Sequence, residues 1–247
     1  VPEVHVAAAC RQGQAWQEAT RHWSQALRAA CTVSVGRYRV AGLNEAESEP
    51  GSRGRVLANL RGIRGVREMQ VAESIELLRL TGALLREVSA VQTISADDLC
   101  EWHRRWLGGL YAWAGEYRNV NLSKGGFPFA AAAQVPRLMQ RFEREVLAVR
   151  TPMAPADDSS LAHGLAIAHA ELILIHPFRD GNGRLVRLLC TMMAAQAGLP
   201  PLNFSPMAGR GRRAYIGAIH ASVGGDYKPL ATRFRRVIAR SLSDAGS

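Results

Sequence analysis

Apolar side chains recur at helical spacing along most of the chain. Near the N-terminus, Trp16, Ala19, Trp23 and Leu27 lie three or four residues apart, which predicts a helix over residues 13–31. The same spacing predicts further helices over residues 68–89, 95–107, 135–149, 159–175, 182–197, 210–222 and 227–241. The chain shows no internal repeat, so these helices are expected to form one bundle.

Local signals mark the ends and faces of two of these helices. Ser95 followed by Asp98 predicts a helix start, because a serine hydroxyl and a first-turn carboxylate satisfy free N–H groups. That helix is expected to end at Gly108 and Gly109. For the helix before it, the predicted buried face consists of Met69, Ala72, Ile75, Leu78 and Leu85.

Two stretches interrupt the helical pattern. Residues 32–58 are rich in Gly, Pro, Ser and charge, which is typical of an extended linker or a long loop. Residues 117–130 place Val120 and Leu122 among polar residues before a Gly-Gly pair, which predicts a short β-hairpin or an irregular flap. The predicted fold class is therefore mostly α, a helical bundle with a small β-hairpin flap.

Composition excludes several classes of protein. The chain has 247 residues, of which 47% are hydrophobic and 21% charged, as in ordinary globular domains. No apolar run approaches the roughly 20 residues that cross a bilayer, and no secretory signal is visible, so we expect no membrane partner. The four cysteines are far apart and form no CxxC pair, so neither a zinc site nor a disulfide framework is expected.

The basic side chains have two explanations. The net charge is +10, and all but two (Lys124 and Lys228) of the 31 basic residues are arginines. A basic surface can bind nucleic acid, and residues 206–213 form the best basic patch. The arginines are nevertheless scattered along helical faces, as a bias in genome composition would place them. Nucleic acid is therefore not the expected partner.

The most informative stretch is residues 176–187, which read His-Pro-Phe-Arg-Asp-Gly-Asn-Gly-Arg-Leu-Val-Arg between two apolar helices. Its glycines let the backbone turn tightly and approach a ligand. Asn182 and Gly183 open the following helix, whose free N–H groups and positive dipole end attract an anion. Arg184 and Arg187 are three residues apart, so one helical face can present both guanidinium groups to a polyphosphate.

Two more groups in this stretch suit phosphate chemistry. Asp180 is a hard oxygen donor, suited to a Mg²⁺ ion that bridges phosphates. His176 can be neutral near pH 7 and accept a proton from an attacking hydroxyl. Each group alone has a simpler explanation, such as a structural histidine, an ordinary turn, solvated arginines or loop packing by Phe178. Their concentration in one stretch favours phosphate chemistry.

This stretch resembles the Fic-domain motif, His-x-Phe-x-(Asp/Glu)-Gly-Asn-Gly-Arg-x-x-Arg, at every specified position. Further similarity to Fic domains is carried by residues 59–63, 111–118, 123–126, 169–172 and 225–230, and by Phe129. The resemblance covers about residues 36–240. It therefore predicts a helical extension over residues 1–35, a Fic-type bundle over 36–240 and a tail over 241–247.

The resemblance implies a protein adenylyltransferase, which transfers AMP from ATP to a Tyr, Thr or Ser hydroxyl of a target protein and releases pyrophosphate. His176 would be the general base, Phe178 a buried anchor of the motif, and Asp180 the ligand of Mg²⁺. Phosphates would contact Gly181, Asn182, Gly183, Arg184 and Arg187. By the same resemblance, an extended target segment would pair with the flap by β-augmentation. The docking residues would be Asn121, Ser123, Lys124, Gly125, Phe127 and Phe129.

Other Fic reactions stay open as alternatives. In Doc-type kinases a lysine replaces the second glycine of the anion hole, so Gly183 favours AMP transfer here. Transfer of UMP or phosphocholine uses a similar loop. An inactive Fic scaffold and a basic, non-catalytic nucleic-acid-binding protein are the remaining alternatives.

The sequence lacks the usual Fic inhibitor. Many Fic proteins carry a (Ser/Thr)-x-x-x-Glu-(Gly/Asn) helix, but no Ser or Thr in this chain is followed by Glu four residues later. Ser222 and Ser241 come nearest, with Asp226 and Ala245 in the acidic position. The chain thus resembles the class controlled by a small antitoxin that supplies the glutamate. A constitutively active effector is the alternative, so we expect a bacterial cytoplasm or delivery into a host cell.

Overall fold

Residues 39–41, 48–154 and 156–246 are described by the computed structural model of this chain, the first three through their backbone. The helix predicted over residues 13–31 lies outside these residues, as do Cys10 and Cys31. Within them, the main helices are α1 (Val66–Glu87), α2 (Ala96–Leu107), α3 (Val135–Phe142), α4 (Asp158–Ile175), α5 (Asn182–Gln196), α6 (Arg212–Ser222) and α7 (Lys228–Ala245). The predicted mostly α fold is confirmed.

Several helices begin or continue with irregular turns. α3 runs on through a π-helical turn, Glu143–Leu147, into a last turn, Ala148–Arg150. Short 3₁₀ turns occupy Ala132–Gln134, Ser205–Met207 and Gly209–Gly211. α7 extends past Ser241 to Ala245, so the predicted tail begins inside a helix.

α2 begins where the serine signal predicts. The amide of Asp98 donates to Ser95 Oγ at 3.0 Å, and the amide of Ser95 donates to Asp98 Oδ2 at 2.8 Å. These reciprocal bonds form a capping box. The helix ends at Leu107, and Gly108 is its C-cap, as the glycine pair predicts.

α4 lies at the centre of the bundle and packs against α5 and α7. It is apolar on nearly all sides, and a helix of that kind must be surrounded by protein. Leu165 is fully buried and Leu172 is 1% exposed. The stretch that follows α4 is therefore attached to a central, buried helix, and α5 begins directly after it.

The buried face of α1 differs from the prediction. Ile75 and Leu78 are 45% and 41% exposed, while Ala72 and Leu85 are half-buried. Three-residue steps turn a helix by only about 300°, so a face traced in such steps drifts toward solvent. The buried residues are Met69, Glu73, Leu77, Leu80, Thr81 and Leu84. The prediction was right for Met69, and Ala72 and Leu85 pack against the core, but it was wrong for Ile75 and Leu78. It also missed that the buried face includes a glutamate.

The predicted hairpin is present and pairs with a third strand. β2 (Asn121–Lys124) and β3 (Phe127–Pro128) are antiparallel and joined by a two-glycine turn. β1 (Arg39–Ala41) pairs with the other edge of β2, so the order is β1-β2-β3. β1 falls inside the stretch predicted to be a loop, because three residues are too few to show strand alternation.

Among the residues described, none of the helices combines the length and the apolar composition that a membrane crossing requires. Cys100 and Cys190 are free thiols.

Candidate active site

The stretch between α4 and α5 is a tight turn bracketed by two left-handed residues. His176 has φ 53° and forms the C-cap of α4, with its amide donating to Leu172 O at 3.0 Å. Gly181 has φ 82° and forms the N-cap of α5. A Cβ at Gly181 would lie 2.8 Å from a ring carbon of Trp106, so only glycine fits there. The turn thus reverses the chain sharply, and α5 begins directly after it.

Hydrogen bonds between Phe178 and Asn182 stabilise this turn. Phe178 is fully buried, and its amide donates to Asn182 Oδ1 at 2.9 Å. The Asn182 side-chain amide donates back to Phe178 O at 2.7 Å. The Asn182 side chain is therefore used within the loop, so its predicted contact with phosphate can come only from its backbone.

The His176 imidazole is oriented as a general base requires. Its Nδ1 lies 3.0 Å from Ile173 O, and because a carbonyl only accepts, Nδ1 carries the proton. The acceptor lone pair therefore lies on Nε2. Burial lowers the pKa of His176 to about 3, which keeps the ring neutral at physiological pH. The side chain is 3% exposed and stacks on Phe129 of the flap, with centroids 3.7 Å apart.

Arg118 connects the flap to the motif turn. Its guanidinium is buried and donates to four backbone carbonyls, those of His176, Val120, Ala130 and Ile175, at 2.7, 2.6, 2.5 and 3.3 Å. Its backbone amide donates to Pro177 O at 2.9 Å. Arg118 thus fixes the base of the flap relative to His176.

The amino end of α5 faces a group of positive charges. The amides of Asn182 and Gly183 begin the helix, where helix geometry supplies no intrahelical acceptor. Burial lowers the pKa of Lys124, the Asp180 carboxylate raises it, and the guanidinium groups of Arg212, Arg184 and Arg187 lower it. Lys124 of the flap therefore interacts electrostatically with Asp180 and with three arginines, two on α5 and one on α6. Such a site can bind a polyanion.

Asp180 is the acidic group of this site. Its Oδ1 accepts from the Gly181 amide at 2.5 Å and lies 4.0 Å from Arg184 Nη2. Mg²⁺ is commonly held by one or two carboxylates, with substrate phosphates and waters completing its ligands. Among the described residues, no group of three metal-ligating side chains exists. A single carboxylate is enough for an ion whose other ligands are phosphates and waters, so Asp180 fits such a site.

The predicted docking residues lie around the flap. Asn121, Gly125 and the neighbouring Gly126 are exposed, and Asn121 Oδ1 accepts from the Ala132 amide. Ser123 and Lys124 are half-buried on β2. The two flap phenylalanines are also half-buried; Phe127 stacks on His220, and Phe129 stacks on His176. Phe129 thus covers the catalytic candidate, and a hydroxyl can reach Nε2 only after part of this cover moves.

Sequence reasoning missed two residues that support the site. His103 accepts from the Gly115 amide through Nδ1 and donates through Nε2 to Asp180 O at 3.1 Å, while its ring stacks 4.0 Å from Phe178. Glu73, from α1, contacts Arg184. The signal for Glu73 was its position four residues from both Met69 and Leu77; no sequence signal distinguished His103.

Alanine substitutions at the two glycines of this site should have opposite effects. Gly181→Ala combines a strained φ with the clash against Trp106, so we expect a loss of roughly 1–3 kcal/mol or more in the free energy of unfolding. At Gly183, apart from its own helix, no described residue lies within 4 Å of an added Cβ. Gly183→Ala should leave stability equal or raise it by roughly 0.5–1 kcal/mol, yet weaken binding of an anion.

Urea unfolding and calorimetric titration with ATP measure the two effects. Wild-type ATP affinity in Gly183→Ala would contradict the placement of a phosphate at this glycine.

Three buried histidines should make the fold sensitive to acid. Burial lowers the pKa of His103 to about 4 and those of His169 and His176 to about 3. The unfolded chain titrates near 6.5, so below that pH only the unfolded state takes up these protons. The free energy of unfolding should fall toward acid by up to about 4 kcal/mol per pH unit, about 1.4 for each ring. Equal urea midpoints at pH 7 and pH 5 would contradict this.

Comparison with known proteins agrees with this geometry. Residues 93–194 match the model of the Fic/DOC family. Over 142 residues the chain is 33% identical to protein adenylyltransferase fic-1 of Caenorhabditis elegans, and over 141 residues it is 35% identical to protein adenylyltransferase Fic of Drosophila melanogaster. Each alignment covers 56% of this chain and 26% of the relative. The chain thus spans about a quarter of the length of these relatives.

Solved structures show the same fold. The effector BepC of Bartonella tribocorum, with bound AMPPNP, has a TM-score of 0.62 and 20% identity, covering 78% of this chain and 98% of that one. A Fic domain of a Bartonella quintana effector, with bound ADP, has a TM-score of 0.59 and 23% identity, covering 73% and 89%.

Proposed function

We propose that this chain is a protein adenylyltransferase, because residues 93–194 match the model of the Fic/DOC family. In this reaction AMP passes from ATP to a hydroxyl of a target protein, and pyrophosphate leaves. One arrangement of groups carries the proposal. It combines a neutral imidazole, whose lone pair lies on Nε2, with a helix N-terminus and four positively charged side chains. The relatives named as adenylyltransferases support AMP as the transferred group.

ATP would bind with its phosphates at the amino end of α5. The amides of Asn182 and Gly183 would donate to phosphate oxygens, and the positive end of the helix would favour their charge. Arg184 and Arg187 would add charge-assisted hydrogen bonds from one face of α5. Mg²⁺, held by Asp180 and the phosphates, would neutralise charge on the nucleotide. The Gly183 position leaves room for this pose, since it carries no side chain.

His176 would act on the target hydroxyl. The hydroxyl donates its proton to Nε2 as its oxygen forms a bond to the α-phosphorus of ATP. The bond from that phosphorus to the bridging oxygen breaks, and pyrophosphate takes the electron pair. The hydrogen bond from Nδ1 to Ile173 O stabilises the imidazolium that results. Since such transfers depend mainly on positioning and charge stabilisation, the fixed loop is well suited to them.

A target would dock on the flap in extended form. β-Augmentation needs an edge strand with open backbone groups. In the described structure β1 pairs with β2 in the register Arg39↔Ser123, Val40↔Leu122 and Ala41↔Asn121. A target strand that uses this edge must therefore displace β1, and the movement that uncovers His176 would accompany it.

Control by a small antitoxin belongs to the same proposal. The two nearest matches to an internal inhibitor have structural roles instead: the Ser222 hydroxyl donates to Ala218 O, and the Ser241 hydroxyl donates to Val237 O. We propose that a separate protein supplies the glutamate beside Arg187. Delivery into a host cell is the alternative setting in which such control is absent.

Labelling of a cell lysate with two forms of ATP tests the function. ATP labelled at the α-phosphate should transfer its label to a target protein, whereas ATP labelled at the γ-phosphate should not. Wild-type protein is compared with His176→Ala as the control. Labelled UTP and labelled CDP-choline test whether the chain carries out one of the other Fic transfers. Label from the γ-phosphate, or label from UTP or CDP-choline alone, would overturn the proposal.

A further inference from the structure

Glu73 places a carboxylate inside the core beside the nucleotide site. It lies on the buried face of α1 and is 6% exposed. Its Oε2 accepts from Arg184 Nη1 at 2.6 Å, and its Oε1 accepts from the Tyr111 hydroxyl at 2.8 Å. A buried carboxylate is costly unless partners of this kind compensate its charge. Its place in the core therefore depends on Arg184 and Tyr111.

Arg184 is held on three sides. Glu73 binds one of its terminal nitrogens, and Asp180 Oδ1 lies 4.0 Å from the other. The guanidinium carbon lies 4.6 Å from the ring centroid of Trp106, in cation–π geometry. The same tryptophan donates through Nε1 to Glu73 O at 2.8 Å. Glu73 thus fixes Arg184 directly through its carboxylate and indirectly through the ring beneath it.

These contacts leave part of the Arg184 side chain accessible. The Arg184 side chain is 26% exposed, although Glu73 is almost fully covered. Burial lowers the pKa of Arg184, but the carboxylates of Glu73 and Asp180 raise it more, so the side chain keeps its charge. Its planar fork can therefore bind a buried acid and an external anion at the same time.

We infer that Glu73 is a positioning residue for the nucleotide. It holds Arg184 in the conformation that meets the phosphates, so the long arginine side chain is ordered before ATP binds. The inference rests on the proposed function in one respect, since it takes ATP as the ligand. The opposite effect is also physically available, because a carboxylate this close could compete with phosphate for Arg184. Positioning predicts weaker nucleotide binding when the Glu73 charge is removed, whereas competition predicts tighter binding.

Binding of AMPPNP to Glu73→Gln, measured by calorimetry, decides between them. Glutamine keeps the shape of the side chain but loses the charge that holds Arg184. We expect the affinity for AMPPNP to fall about tenfold or more, as loss of a hydrogen bond between charged groups implies. Tyr111→Phe, which removes the second hydrogen bond and keeps the ring, should give a smaller fall. Unchanged or tighter binding in Glu73→Gln would overturn the inference.

Two controls separate positioning from a general structural effect. Glu76→Gln makes the same change on α1, where Glu76 pairs with Arg61 and Arg79 near the surface, and should bind AMPPNP as the wild type does. In an Arg184→Ala background, Glu73→Gln should cause no further loss, because Glu73 acts through Arg184. An equal loss in that background would overturn the inference.

The test does not depend on transfer. Wild-type protein that binds AMPPNP but transfers no AMP would defeat the proposed function and leave the Glu73 comparison intact. Wild-type protein that transfers AMP, together with a Glu73→Gln variant that binds AMPPNP equally well, would defeat the inference alone. Absence of AMPPNP binding in the wild type would overturn both.

Discussion

Replacing His176 by alanine should abolish AMP transfer and leave ATP binding nearly intact. A positioned base typically contributes 10²–10⁴-fold, so the rate should fall by about that factor or below detection. ATP binding should persist because the proposed phosphate site consists of the amino end of α5 and its arginines, which the substitution does not touch. The measurement pairs transfer of α-labelled AMP with calorimetric titration of ATP.

The matched control is His163→Ala, which removes an exposed imidazole from the same helix. Its transfer rate should equal that of the wild type. Thermal unfolding of both variants checks that the fold is kept. Normal labelling of a target by His176→Ala would remove this histidine from the mechanism.

Replacing Arg187 by alanine should misplace the nucleotide. Arg187 lies three residues after Arg184 on α5, and its charge helps to lower the pKa of Lys124. Loss of a charge-assisted contact to phosphate is expected to lower kcat/KM by about tenfold to a hundredfold, with a higher KM for ATP. Arg187→Lys keeps the charge but not the planar fork, so it should be intermediate.

Steady-state kinetics at several ATP concentrations provide this measurement. Arg235→Ala removes an exposed arginine of α7 and serves as the control, with unchanged kinetics expected. Unaltered turnover together with unaltered ATP affinity in Arg187→Ala would contradict the phosphate role.

The motif loop was predictable because its chemistry is concentrated in consecutive residues. Each side chain of residues 176–187 has a simple structural explanation. Together they predict a turn, which the structure confirms, and an anion site and a base, which stay predictions. The hairpin and the capping box of α2 were predictable for a similar reason, since glycines, Ser95 and Asp98 act on their nearest neighbours. Features that depend on neighbouring residues can therefore be predicted from the sequence.

The support of the site could not be predicted in the same way. Glu73 lies 111 residues from Arg184 in sequence, and Arg118 lies 58 residues from His176, so only the packed bundle brings them together. The buried face of α1 was mistaken because apolar residues alone were used to trace it, although the true face contains a glutamate paired inside the core. The position of a buried charge of this kind depends on its partner in the folded structure, and the spacing of apolar residues along the chain does not reveal it.

A crystal structure of the chain with AMPPNP tests the central claim most directly. We expect the triphosphate to lie on the amides of Asn182 and Gly183, with Arg184 and Arg187 on its oxygens. The α-phosphorus should then face the space beside His176 Nε2 where a target hydroxyl would enter. Phosphates bound elsewhere, or an α-phosphorus that Nε2 does not face, would contradict the account.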